Sequence, residues 1–228
     1  MTTHDRGAGW AREARATARR RFAARIAIGI GAAVLALAAV YWWAGYGSPS
    51  AARDPLAGQY PFQVGQPGPG AAAPPIRLPS TRGGTLDLAS LHGHRVLLYF
   101  QEGIMCQPCW DQLKDIESHI DEFRALGIDS VVSITTDPID ALKEKAHNEG
   151  LSTPVLSDPD LRVSRAYDTN RYGMMGNSRD GHTFILLDKD GTILWRADYG
   201  GAPKYSMYVP VRNLVADLRQ GLRKAPKP

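Results

Sequence analysis

Residues 76–222 are predicted to form one α/β domain, and three observations support this fold class. The run RVLLYF (95–100) is continuously apolar after Arg95, as strands buried on both faces of a sheet are, and IDSVVSIT (128–135) is the next predicted buried strand. HTFILLD (182–188) and TILWRAD (192–198) flank a Lys-Asp-Gly turn, which predicts a hairpin. Between the first two runs, apolar residues recur at steps of three and four, the spacing of an amphipathic helix: Trp110, Leu113, Ile116, Ile120, Phe123 and Leu126.

The remaining elements follow in chain order. IRLPSTRGGTLDL (76–88) predicts two short strands around a Gly-Gly turn, and the helix after residue 106 is expected to end near Gly127. Asp137 before Pro138 predicts an N-cap and the first position of a helix that runs to about Glu149. A strand in TPVLSD, a short helix in PDLRVSRAYD and a closing helix over 211–222 complete the order β-β-β-α-β-α-α-β-β-α.

Residues 26–46 are predicted to be a transmembrane helix. Positions 26–44 carry no charge, and nineteen such residues are roughly enough to cross a bilayer core. Tyr41, Trp42 and Trp43 lie at the far end, and seven arginines precede the run, so residues 1–25 are expected to be a basic cytoplasmic tail. A cleaved signal peptide is the alternative, although the apolar run is longer than a usual signal core. We expect a single-pass cell-membrane protein whose domain is extracytoplasmic.

The segment 47–75 contains seven prolines and many Gly and Ala residues, which predicts an extended linker, and residues 223–228 are expected to form a short tail. The net charge is +4 for the whole chain and +5 for residues 1–25. The basic excess therefore belongs to the tail, where membrane orientation explains it, and no nucleic-acid partner is expected.

Cys106 and Cys109 are the two cysteines of the chain, and they stand at the predicted start of a helix. Outside the cytoplasm they can pair with each other. A purely structural disulfide is one interpretation, but so short a loop gains little stability from closure. A structural zinc site is a weaker interpretation, because it needs four ligands and this chain offers one cysteine pair and scattered histidines. We favour redox chemistry, with both other interpretations and copper binding left as alternatives.

The position of the pair predicts the role of each sulfur. At the first turn of a helix, free N–H groups and the helix dipole would lower the pKa of Cys106 and make it the attacking thiolate. Cys109, one turn further on, would resolve the mixed disulfide, and Pro108 would stiffen the turn. Met105, Trp110, Met174 and Met175 are candidates for an apolar rim that contacts a partner.

The motifs resemble those of the redoxin group, which contains AhpC/TSA peroxiredoxins and TlpA/ResA-type thiol-disulfide oxidoreductases. CQPC resembles the Cys-x-Pro-Cys of thioredoxin-fold proteins, and LPSTRGGTLDLASLHGHRVLLYF, PVLSDPDLRVSRAYD and HTFILLDKDGTI are similar to segments of the group. The resemblance covers roughly residues 74–198. It implies a thioredoxin-like fold with an N-terminal β-hairpin extension, preceded here by the predicted membrane helix.

Several positions depart from the patterns of the group. Peroxiredoxins of this kind have Thr three residues before the reactive Cys, where this chain has Gly103. They also use an Arg, for which Arg179 is a candidate substitute, although an arginine in a polar loop is more often a solvated surface charge. His182 aligns with a cis-proline, or with an Arg in many peroxiredoxins. It is interpreted either as a hydrogen-bonded structural residue, as an imidazolium beside Cys106, or as a copper ligand of the kind found in Sco-type chaperones. Glu102 is a candidate proton acceptor for Cys109, or a solvent-facing carboxylate.

The function predicted from these features is thiol-disulfide exchange by Cys106 and Cys109. Protein or small-molecule thiols and disulfides are the expected partners, with an unidentified electron donor and no cofactor or metal. The alternatives are a peroxidase that uses the same pair and a copper chaperone.

Overall fold

The computed structural model describes residues 31–38, 40 and 54–225. It consists of two units that divide between Ala52 and Arg53. Of the predicted membrane span, residues 31–38 and 40 are described, and they are helical and exposed. None of the helices among the described residues combines the length and apolarity needed to traverse a bilayer. The predicted tail 1–25, the rest of 26–46, residues 47–53 and residues 226–228 lie outside the described residues.

A five-stranded sheet with the order β5-β4-β3-β6-β7 forms the centre of the larger unit. Strands β3 and β4 are parallel, as are β4 and β5, whereas β3–β6 and β6–β7 are antiparallel. A separate antiparallel hairpin of β1 and β2 precedes the sheet, as the sequence predicts. The strand bounds are β1 Arg77–Pro79, β2 Thr85–Asp87, β3 Val96–Phe100, β4 Ser130–Thr135, β5 Val155–Ser157, β6 Thr183–Leu187 and β7 Ile193–Asp198.

The predicted helices are present, with one difference. The helix after the cysteines is broken at His119, whose backbone (φ −116°, ψ 24°) leaves the helical region. The apolar spacing continues through the break because both pieces bury the same face, so periodicity alone does not reveal it. The helices are α1 Gln107–Ser118, α2 Ile120–Arg124, α3 Ile139–Asn148, α4 Arg162–Ala166 and α5 Val211–Lys224.

The sheet is buried on both faces, which explains the continuous apolar run in β3. Leu97 and Tyr99 of β3 belong to a core shared with α1, α2, α3 and α5. Leu98 and Phe100 point the other way, into a core shared with the β1–β2 hairpin and α4. Successive side chains of a strand alternate between faces, so a strand with two covered faces has no polar positions to alternate with apolar ones.

Residues 54–75, which the sequence assigns to an extended linker, lie instead against the domain. Gln63 exchanges backbone hydrogen bonds of 3.1 and 2.9 Å with Asp198 at the end of β7, and Ala71 accepts one of 2.9 Å from Ile193. Phe62 packs edge-on against Tyr199, with ring centroids 5.2 Å apart. The prolines prevent a regular strand, but the groups between them still cover the outer edge of the sheet. Composition alone therefore misassigned this segment.

Candidate active site

The two cysteines lie where β3 passes into α1. Cys106 is the N-cap of α1, and Cys109 lies one turn further along the helix. A disulfide joins them, and their Cα atoms are 5.3 Å apart. The Cys106 carbonyl accepts hydrogen bonds from the N–H groups of Cys109 (3.0 Å) and Trp110 (3.4 Å), so the first turn is closed around the pair. Cys106 retains 7% of its surface exposed and Cys109 retains none. The attacking sulfur predicted from sequence is therefore the more accessible one.

Cys106 opens onto a cleft of about 340 Å³. Its walls come from three distant parts of the chain, namely Glu102, Met105, Cys106, Pro108, Met174, Met175, Arg179 and Met207. We call residues 170–181, which supply one wall, the methionine loop. Met105, Met174 and Met175 are 86%, 58% and 55% exposed, and the structure brings them together at the rim. Trp110, the fourth candidate for the rim, is fully buried and donates from its indole nitrogen to the Gly103 carbonyl at 3.0 Å.

Glu102 is a buried residue of the cleft, not a solvent-facing loop carboxylate. Its side chain is 4% exposed and accepts a hydrogen bond from the backbone N–H of Met174 in the methionine loop. Its backbone carbonyl accepts a 3.1 Å bond from Arg179 of the same loop. Glu102 therefore fastens the methionine loop to the segment that carries Cys106.

Asp137 is a residue of the site that sequence reasoning misassigned. The structure places Pro138 at the N-cap of α3, and the Asp137 side chain makes no cap. Its carboxylate instead accepts hydrogen bonds from Ile104 N (2.8 Å) and Thr135 Oγ1 (3.2 Å), and it forms a 2.8 Å ion pair with Arg179. The Asp-Pro pattern suits either arrangement, because the choice depends on Arg179, which is 42 residues away.

His182 does not supply a positive charge to Cys106. The ring is fully buried, and burial lowers the pKa of His182 to about 3, so the side chain is neutral at physiological pH. It packs against Tyr99 and Phe184, and its Nδ1 lies 3.4 Å from the Tyr99 hydroxyl, which also donates to the Cys109 carbonyl at 3.2 Å. Burial and these contacts favour the structural interpretation of His182 over the imidazolium interpretation.

Two further residues contribute to the site, and the sequence gives no indication that they do. Met207 packs with both cysteines and comes from residues 199–210, for which the sequence indicates no role. Tyr99 lies beneath Cys109 from within an apolar strand run, where it looks like an ordinary core residue. Within the part of the chain that the structure describes, no group of three or more His, Cys, Asp and Glu side chains is suited to hold a metal ion.

The model of one protein family, described as the AhpC/TSA family, matches residues 69–196, more than half of the chain. The chain belongs to the AhpC/TSA family. It is 33% identical over 127 residues to peroxiredoxin Bcp of Escherichia coli, covering 54% of this chain and 81% of Bcp. It is 29% identical over 101 residues to the thiol-disulfide oxidoreductase ResA of Bacillus subtilis, covering 44% of this chain and 56% of ResA.

Solved structures support a thioredoxin-like fold for this AhpC/TSA member. Peroxidoxin BcpB from Mycobacterium tuberculosis superposes with a TM-score of 0.56 at 23% identity, over 67% of this chain and 96% of BcpB. AhpC of Enterococcus faecalis gives a TM-score of 0.56 at 14% identity, over 67% of this chain and 90% of AhpC. Together with the sequence relatives, the family identifies the protein as an oxidoreductase with a Cys106–Cys109 pair.

The site departs from the peroxiredoxin pattern at Gly103, three residues before Cys106. Gly103 has φ +96°, a left-handed conformation that favours glycine. A Cβ atom at this position would overlap the Asp137 carboxylate and the Thr135 hydroxyl. The threonine of the peroxiredoxin pattern therefore cannot be introduced here without displacing Asp137, the ion-pair partner of Arg179.

Proposed function

We propose that this protein is a thiol-disulfide oxidoreductase in which Cys106 attacks and Cys109 resolves. The observation that carries the proposal is the placement of the pair. Cys106, with 7% of its surface exposed, lies at a helix N-terminus and faces a methionine-lined cleft, and the fully buried Cys109 is bonded to it. The N–H groups of the first turn stabilise a thiolate at Cys106. Pro108, exposed in that turn, limits its flexibility.

Each turnover transfers two electrons. The Cys106 thiolate attacks one sulfur of a substrate disulfide, forms a mixed disulfide and releases the other sulfur as a thiolate. The Cys109 thiol then loses its proton and attacks the Cys106 sulfur, which releases the second substrate thiolate and closes the Cys106–Cys109 disulfide. The released thiolates take up protons from solvent. A dithiol donor, protein or small molecule, restores the reduced pair by the reverse exchange.

Peroxide reduction is the second candidate, and two observations favour it. Peroxiredoxins are among the relatives of the chain, and Arg179 lines the same cleft as Cys106, where a guanidinium can polarise a peroxide. The Cys106 thiolate would attack one peroxide oxygen, release an alkoxide that is protonated to the alcohol, and become a sulfenic acid. Cys109 would displace hydroxide from that sulfur, which gives the disulfide and water. Gly103 in place of threonine counts against this candidate.

One stopped-flow experiment separates the two reactions. The reduced protein is mixed in parallel with a hydroperoxide and with a small aromatic disulfide, and oxidation of the pair is followed. Faster reaction with the disulfide supports exchange. Rapid oxidation by micromolar hydroperoxide, with slow disulfide reaction, replaces the exchange proposal with the peroxidase. Cys106→Ser should abolish either reaction.

The roles of the two sulfurs are tested by trapping. Cys109→Ser should accumulate mixed disulfides with its partners, because the attacking sulfur remains and the resolving one is absent. Cys106→Ser should trap none. Alkylation against pH should place the Cys106 thiol below the free-cysteine pKa of about 8.5. The reverse trapping pattern would show that the two roles are exchanged.

We also propose that residues 26–46 anchor the protein in the cell membrane, with residues 1–25 in the cytoplasm and the redox domain outside. The uncharged run at 26–44 and the arginine excess before it support this proposal. Protease added to intact cells should remove the domain and leave the tail, whereas full protection or a mature N-terminus after Ser50 would contradict it.

A further inference from the structure

A buried chain of polar side chains lies behind the methionine loop. Asp180, at the end of that loop, accepts a 2.6 Å hydrogen bond from Thr169 Oγ1, and its other carboxyl oxygen is 3.0 Å from Ser164 Oγ. The same Ser164 oxygen is 2.6 Å from Asp158 Oδ2. All four residues are fully buried. Two carboxyl groups therefore share one serine hydroxyl in the protein interior.

The number of available protons determines how Asp158, Ser164 and Asp180 are hydrogen-bonded. A serine hydroxyl has one proton to donate, yet Ser164 contacts two carboxyl oxygens. Asp158 also accepts from the N–H groups of Val163 (3.2 Å) and Ser164 (2.8 Å), so it is the acceptor that the surrounding backbone favours. The bonding is complete if Asp180 carries a proton and donates it to Ser164, which in turn donates to Asp158. If both carboxyl groups were ionised, the Ser164 hydroxyl could donate to only one of them. The other carboxylate oxygen would then lie against the Ser164 oxygen with no proton between them, and two like charges would be buried side by side.

The surroundings of Asp180 favour the same state. Burial raises the pKa of Asp180 to about 8, against the opposing effect of its hydrogen bonds, and the Asp158 charge adds to the rise. No basic group is among the causes that shift the pKa of Asp180. Arg162 and Arg165 of the adjoining α4 are exposed to solvent, and so is Asp160. Arg179 forms its ion pair with Asp137.

Asp180 is directly connected to the wall of the cleft. The preceding residue, Arg179, bonds to Asp137 and to the Glu102 carbonyl on the cleft side. The following residue, Gly181, donates its N–H to the Thr169 carbonyl at 3.1 Å. The methionine loop is therefore held on its front by Glu102 and Asp137 and on its back by the Asp180 group.

We propose that protonated Asp180 is a positioning residue, which holds the methionine loop so that Arg179 and Met174 form a wall of the Cys106 cleft. When Asp180 gives its proton to solvent at alkaline pH, the buried carboxylate faces Asp158 and loses its bond to Ser164. The loop then detaches from its back support and the cleft widens. The role of Asp180 in substrate binding rests on the proposed function, but the release of the methionine loop does not.

Asp180→Asn is the matched variant for the test. The asparagine oxygen can accept from Thr169 and its amide N–H can donate to Ser164, which reproduces the bonds of the protonated carboxyl without a group that ionises. Trypsin cleavage after Arg171 and Arg179 reports release of the loop, and fragment masses identify those cuts. The ratio of the cleavage rate of the wild type to that of the variant, taken at each pH, cancels the pH dependence of trypsin itself.

The ratio of the wild-type cleavage rate to the Asp180→Asn rate should rise from pH 6 by up to about tenfold per pH unit and level off between pH 8 and pH 9, because above about pH 8 Asp180 is ionised in the held and the released loop alike. An equal ratio across this range would overturn the proposal. Infrared spectra supply a direct measurement: a protonated-carboxyl C=O band should be present in the wild type at pH 7 and missing from the variant. No such difference between the two proteins would also overturn it.

Turnover connects the loop to the cleft. With whichever substrate the protein reduces, KM should rise from pH 7 to pH 9 in the wild type more than kcat changes, and KM of Asp180→Asn should stay level. A KM that rises equally in both proteins refutes the positioning role. If neither hydroperoxide nor disulfide is turned over, the proposed function fails, while the cleavage and infrared measurements still decide whether Asp180 holds the loop.

Discussion

Replacing Gly103 by alanine tests whether the hydrogen bonds and ion pair of Asp137 require a residue without a side chain at position 103. The substitution adds one Cβ atom at a position with φ +96°. That atom would overlap the Asp137 carboxylate and the Thr135 hydroxyl, so Asp137 must move. Asp137 is 5% exposed and has little room to relocate.

The magnitude has two parts. A left-handed backbone costs a non-glycine residue about 1–2 kcal/mol. Moving Asp137 breaks at least one of its bonds to Ile104, Thr135 and Arg179, and a hydrogen bond to a charged group contributes about 1.5–3 kcal/mol. We expect Gly103→Ala to lower the free energy of unfolding by about 2.5–5 kcal/mol, and the melting temperature by roughly 5–20 °C for a domain of this size.

Gly83→Ala is the matched control. Gly83 has φ +95°, and a Cβ atom there would meet no atom within 4 Å, so the control carries the backbone cost without the overlap. We expect it to lose about 1–2 kcal/mol. Both variants should be unfolded in urea with the disulfide intact, because reduction during the measurement breaks the two-state assumption. Equal losses in the two variants would refute the overlap with Asp137 as the reason for glycine at position 103.

Three further variants test the buried ion pair and the buried histidine. Arg196 and Asp198 form a 2.9 Å ion pair with no side-chain exposure, so Arg196→Leu should cost about 3–5 kcal/mol by leaving a buried carboxylate unpaired. Arg219→Leu, at the half-exposed pair with Asp54, should change urea stability by less than about 1 kcal/mol. Comparable losses in the two arginine variants would contradict this account. Because the pKa of His182 is about 3 when folded and about 6.5 when unfolded, the unfolded chain takes up the extra proton between these values, and stability should fall as pH drops below 6.5. His182→Gln should reduce that fall by up to about 1.4 kcal/mol per pH unit in urea titrations at pH 7, 5 and 4, and an unchanged pH dependence would show that His182 is not buried and neutral.

The local features of the chain were readable from its sequence. The continuous apolar run predicts strand β3 and the apolar spacing predicts α1, since burial acts on each segment through its own side chains. The Cys106–Cys109 pair is also local, because three residues of helix suffice to bring the sulfurs together. The same local reasoning failed for residues 54–75, whose composition suits a linker but whose backbone groups find partners on β7.

What the cleft contains was decided by tertiary structure. Met207 reaches Cys106 across about 100 residues of chain, and nothing near it in the sequence indicates this proximity. Arg179 reaches the same cleft across about 70 residues, and only the family resemblance pointed to it. The charge states of His182 and Asp180 are likewise tertiary properties, because the pKa of a buried group depends on the solvent it has lost and on the neighbours that folding provides. Sequence spacing determines which side chains share a strand or helix, whereas desolvation and long-range contact are set when those elements pack together.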